Sequence, residues 1–184
     1  MECVIDGLNR RVAKKVNGAV VAKWLWQSSL RIAAELDATN AVVSRFFVYA
    51  TKANIPDYMV KAGVTYKIVT DQVGTPRMVV RVDTGAVVQQ VVRDEFGVLI
   101  SESGDPTLHP FGLAGGLFDR DTGLVRFGAR DYDAATGVWT TKDPIRFSGG
   151  LTSLYSYQGG EPESMMVIGM DLVIPTTPQR EKHG

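Results

Sequence analysis

Val64–Gly97 reads VTYKIVTDQVGTPRMVVRVDTGAVVQQVVRDEFG, and the organisation of the chain is decided there. Three runs rich in Val, Ile, Thr and Tyr (Val64–Thr70, Arg77–Val82 and Ala86–Arg93) alternate with Asp71-Gln-Val-Gly74, Asp83-Thr-Gly85 and Asp94-Glu-Phe-Gly97. β-branched and aromatic side chains suit a pleated, half-buried surface. An aspartate folds its carboxylate back onto the backbone just ahead of it, and glycine supplies the positive φ of a tight turn, so each acidic cluster ending in Gly reads as a turn. Turn signals about 8–12 residues apart leave no room for the long crossovers that parallel strands require. Antiparallel hairpins in series are the expectation.

Working outward, the same grammar extends in both directions. Asp6-Gly7, Asn17-Gly18, Asp121-Thr-Gly123 and Asp133-Ala-Ala-Thr-Gly137 read as turns, and Ala19–Trp26, Val42–Tyr49, Leu124–Tyr132 and Val138–Thr141 as strands. Leu30–Leu36 contains helix formers partly at helical spacing but is read as strand in this context. The Asp71 and Asp94 units lie 23 residues apart, and Asp6-Gly-Leu-Asn-Arg10 looks like a variant of the same turn. A period of about 20 residues is the mark of a repeat array. The fold class is therefore all-β, an antiparallel hairpin meander.

Composition narrows the function. Twenty Lys and Arg against twenty Asp and Glu give a formal net charge of zero, so no positive field draws the chain to nucleic acid or anionic lipid. No apolar run approaches the ~18 residues of a membrane span, and the start of the chain lacks the apolar core of a secretory signal. Cys3 has no partner for an internal disulfide, and with His109 and His183 as the only histidines no metal-ligand cluster is expected. No cofactor is expected either: Gly112-Leu-Ala-Gly-Gly116 is not a phosphate loop, because no Lys-Ser/Thr follows it. A serine nucleophile elbow is also missing.

The segment Gly128-Ala-Arg-Asp-Tyr-Asp-Ala-Ala-Thr-Gly-Val-Trp-Thr-Thr-Lys-Asp-Pro-Ile-Arg-Phe-Ser-Gly-Gly150, followed by Leu154-Tyr-Ser-Tyr157, resembles the Rhs/YD-repeat family, specifically its repeat-associated core domain. Asp71-Gln-Val-Gly-Thr-Pro-Arg77 and Pro110-Phe-Gly-Leu-Ala-Gly-Gly-Leu-Phe118 resemble the last repeats before that core, so the likeness covers about residues 5–162. It implies terminal YD-type β repeats over 1–110 and the core segment over 111–162; the degenerate tail over 163–184 falls outside the likeness, and its prolines and polar, charged end lead us to expect it to be mobile. In such a family the repeats coil into a hollow β-shell around a C-terminal effector, often a toxin. Members of that family are exported to the cell surface or beyond, and the resemblance implies that the core cuts the chain once as an aspartyl autoprotease. The implied partners are the remainder of an Rhs shell and a C-terminal effector. Only thirteen residues follow Asp171, and the Asp-Pro-x-Gly cut-site motif is degraded to Gly169-Met-Asp-Leu172, so the expected cut has no effector here to release.

The candidate catalytic groups are Arg130, Asp131 and Asp143. Aspartyl hydrolysis needs two carboxylates sharing one proton: the ionised one activates water, the protonated one polarises the scissile carbonyl, and a guanidinium favours the ionised member. The resemblance maps these roles onto Arg130, Asp131 and Asp143. Strand parity offers Asp133 as a competing partner for Asp131, and all three aspartates are also natural turn caps. An alternative function is that of a non-catalytic cell-surface YD-repeat segment that binds carbohydrate or a partner; sugar binding through Trp24, Trp26 and Trp139 requires strand-face exposure of these side chains.

Overall fold

The computed structural model describes residues 1–141; Asp143, the Leu154–Tyr157 motif and the 163–184 tail lie outside the described residues. Ten strands follow one another: β1 (Glu2–Ile5), β2 (Arg11–Val16), β3 (Ala19–Trp26), β4 (Ile32–Leu36), β5 (Val42–Phe47), β6 (Tyr58–Lys61), β7 (Val64–Thr70), β8 (Pro76–Arg81), β9 (Val87–Arg93) and β10 (Leu99–Gly104). They form one antiparallel sheet whose spatial order is the chain order. A 3₁₀ turn at Leu113–Gly115 then leads into β11 (Leu117–Phe118), β12 (Leu124–Phe127), β13 (Arg130–Asp133) and β14 (Val138–Trp139), a second antiparallel meander. The all-β antiparallel expectation is thus met, including strand rather than helix over most of Leu30–Leu36.

One expected element is wrong. Leu124–Tyr132 is not one strand but the two arms of a hairpin, folded at Gly128-Ala129 so that Phe127 pairs with Arg130. Gly128 has φ +51°, the left-handed conformation that lets a two-residue loop reverse the chain. A continuous strand-like composition hid a turn that carries no acidic residue.

Alternation along each strand sends one set of side chains to a common face. Trp24, Ile32, Phe46, Met59, Ile68 and Val79 are buried there, with Ile55 from the loop after β5. The chain leaving β10 crosses this face and drops Leu108, Phe111 and Leu117 into the same core, where Phe111 meets Phe46 edge to face at 5.0 Å. Burying each such side chain contributes about 1.5–3 kcal/mol. A second core, Leu113, Val125, Phe127, Tyr132 and Trp139, lies with the four-stranded sheet. Gly116 lets β11 approach β12 closely: a Cβ there would lie 2.5 Å from Val125 Cγ1.

Candidate functional site

β13 reads Arg-Asp-Tyr-Asp with burial alternating, so Arg130 and Tyr132 face the second core and Asp131 and Asp133 share the other face. The Arg130 guanidinium lies 4.3 Å from the centre of the Trp139 ring and donates to the Thr141 carbonyl at 3.0 Å. Tyr132 donates its hydroxyl to the Phe96 carbonyl. Asp133 caps the next turn, accepting from the Ala135 N–H and the Thr136 hydroxyl, which assigns its carboxylate oxygens to the turn. Asp143 lies outside the described residues, so the structure places two of the three expected catalytic groups, on opposite faces of one strand.

Two guanidiniums clasp Asp131. Arg126, directly across the hairpin, donates from Nη1 to Oδ2 at 2.8 Å; Arg11, from β2, donates from Nη2 to Oδ1 at 3.0 Å. The other amino group of Arg11 donates to Asp119 at 3.1 Å, so one guanidinium bridges two carboxylates. Lys14 completes the cluster with 2.6 Å contacts to both Asp119 and Asp121. Burial works against the Lys14 ammonium, but its hydrogen bonds to these two carboxylates outweigh burial and hold its pKa above the ordinary lysine value. Arg11 and Asp119 are almost wholly buried, at 5% and 1% side-chain exposure, so the centre of the network is an interior pair, while Asp121 at its edge is exposed. Sequence reading missed Arg11, Lys14, Asp119 and Arg126. Nothing in linear spacing links Arg11 to groups 108 and 120 residues away.

Beside the network a cleft of about 250 Å³ is lined by Arg11, Lys14, Trp24, Glu35, His109 and Arg120, among others. His109 is buried with its Nδ1 accepting from the Phe111 N–H, and burial drives its pKa down to about 4, so the ring is neutral at physiological pH. Glu35 is pushed above the usual carboxylate range, also by burial. The aromatic sugar-binding alternative fails on the same geometry. Trp24 and Trp139 are buried in separate cores, and Trp26 is half-buried with its indole N–H donated to the Arg11 carbonyl. Hydrophobic packing has claimed the faces that stacking on a sugar would need.

Comparison with known proteins places this geometry in a family. The profile of the Teneurin YD-shell family matches residues 3–158. Teneurin-3 of Mus musculus is 27% identical over 172 residues, covering 86% of this chain and 6% of its own length. The Escherichia coli (strain K12) protein YlbH is 40% identical over 65 residues, covering 35% of this chain and 27% of its own. The chain therefore spans a small part of the teneurins it matches. Among solved structures, the TcdB2-TccC3-TEV crystal structure superposes with a TM-score of 0.63 at 15% identity, over 90% of this chain and 8% of that one, a likeness of fold. With the match running from the first strand through the whole of the second sheet, the chain belongs to the Teneurin YD-shell family.

Proposed function

We propose that this chain is a length of wall from an Rhs-type toxin shell, and that its 111–162 segment is the autoproteolytic core which ends that wall. The reading is carried by one observation: ten antiparallel strands in unbroken serial order are followed, after one crossing of their face, by a second meander whose β12–β13 hairpin bears Arg130 and Asp131. A sheet built this way grows by adding hairpins at its ends, as a shell wall requires. The partners are then the remainder of the shell and a C-terminal effector, and the place of action is outside the producing cell.

In the core, Asp131 and Asp143 are the carboxylate pair. The ionised member takes a proton from water as the water oxygen adds to the scissile carbonyl, whose oxygen takes the proton of the other member. On collapse the first gives its proton to the amide nitrogen, the C–N bond breaks to leave a carboxylic acid and an amine, and the second regains its proton from the diol. Arg130, on the opposite face of β13 against Trp139 and the Thr141 carbonyl, anchors the strand that presents Asp131. To test this, a reporter domain is fused after Gly184 and the intact mass followed over time. One cut beyond the core, abolished by Asp131→Asn and by Asp143→Asn, is the expected result. A parent fusion that keeps its full mass overturns the autoproteolytic reading.

A further inference from the structure

Asp131 sits where two distant parts of the chain meet. Arg126 reaches it across the β12–β13 hairpin, while Arg11 reaches it from a strand 120 residues upstream. Each cation is fixed by more than the carboxylate. Arg126 also donates to the Gly128 and Asn9 carbonyls, at 2.7 and 2.9 Å, and Arg11 is held on its other edge by Asp119 while its carbonyl receives the Trp26 indole N–H. Both oxygens of Asp131 are therefore oriented by charge-assisted bonds whose donors are themselves locked. Lysine, a point charge with no planar fork, does not span Asp119 and Asp131 in this way.

We propose that Arg11 and Arg126 are the positioning residues of Asp131, so that cleavage waits until β2 has docked against β13. The proposal rests on the autoproteolytic reading above and adds a condition to it: the cutting group is oriented only when the first repeat strands and the hairpin have come together. A contact spanning 120 residues forms late, because its loop-closure entropy is offset only once the intervening strands are in place. Self-cleavage is thereby made a report that the wall has folded.

Two measurements on the full chain separate this proposal from the reading beneath it. In arginine side-chain NMR spectra, with resonances assigned through Arg11→Lys and Arg126→Lys, both guanidiniums are expected to show resolved Nη signals from restrained rotation. Asp131→Asn is expected to collapse the Arg126 signals and shift those of Arg11; spectra unchanged by Asp131→Asn overturn the positioning proposal. In the reporter fusion, Arg11→Gln is expected to slow cleavage about 10- to 100-fold, the usual effect of removing a group that orients a reacting one, with an intermediate rate for Arg11→Lys. Should Arg11→Gln lose cooperative melting, Arg126→Lys provides the same comparison in a chain that keeps the cation. Parental cleavage rates in these variants sink the proposal. An uncleaved parent whose guanidinium signals still respond to Asp131→Asn overturns the autoproteolytic reading and leaves the positioning geometry standing.

Discussion

Protonating His109 in the folded chain places a cation on a ring that is almost wholly buried. Its pKa is lowered from 6.5 to about 4, chiefly by burial and then by the nearby Arg120. The unfolded chain consequently takes up this proton first as pH falls. The stability held by the neutral ring is complete above about pH 6.5, is lost progressively as pH falls, and stops falling near pH 4, where the folded form titrates too. Over that window the loss amounts to about 3 kcal/mol. His109→Asn keeps an acceptor for the Phe111 N–H without a titrating ring. Urea denaturation from pH 7 to pH 4 is expected to show a flatter decline in this variant; an unchanged slope would remove His109 as its source.

Four turns are built from one set of bonds. Asp6, Asp37, Asp71 and Asp94 each accept through Oδ1 from the N–H groups two and four residues on. The residue three places on has positive φ in every case: Asn9 at 60°, Asn40 at 70°, Gly74 at 93° and Gly97 at 95°. Reading by glycine finds Asp71 and Asp94 readily, but Asp37-Ala-Thr-Asn40 escapes it because asparagine also tolerates the left-handed region. Asp71 additionally holds Arg77, which reaches on to the Arg93 carbonyl and so ties the turn to β9. Asp71→Ala is expected to cost about 2 kcal/mol in chemical denaturation, from two backbone N–H groups that lose a charged acceptor. Asp37→Ala, at a turn that Lys23 ties to β3 through the Ala38 carbonyl and Asn40 and not through the Asp37 carboxylate, is expected to cost less; equal losses would show that the Arg77 bridge adds nothing.

Two different forces hold the four-stranded sheet to the long one. Leu108, Phe111 and Leu117 do it by hydrophobic burial, and Arg11 and Lys14 by reaching Asp119, Asp121 and Asp131. Interior charges tolerate no loss of a partner, since the one left behind keeps its desolvation penalty. Asp119→Ala strips a carboxylate from both Arg11 and Lys14, which keep Asp131 and Asp121, and is expected to destabilise the chain by about 2–3 kcal/mol. Denaturation measures the total, and hydrogen exchange locates it: amides of β2 and β12 should lose protection together. Loss confined to the turn at Asp119 would mean that the network does not join the sheets.

The all-β class, the antiparallel order and the position of most hairpins are legible in the chain alone, because period-two alternation and Asp-to-Gly turns are local rules written within a few residues of one another. The sequence also marks Asp131 and Asp133 as sharing a strand face, since parity needs no tertiary information. Which cations meet Asp131, that Trp24 and Trp139 are core and not a binding face, and that Leu124–Tyr132 folds back on itself emerge only from the folded chain. Pairing between Arg11 and Asp131 depends on how ten strands stack before the chain crosses their face, and no local pattern carries that distance.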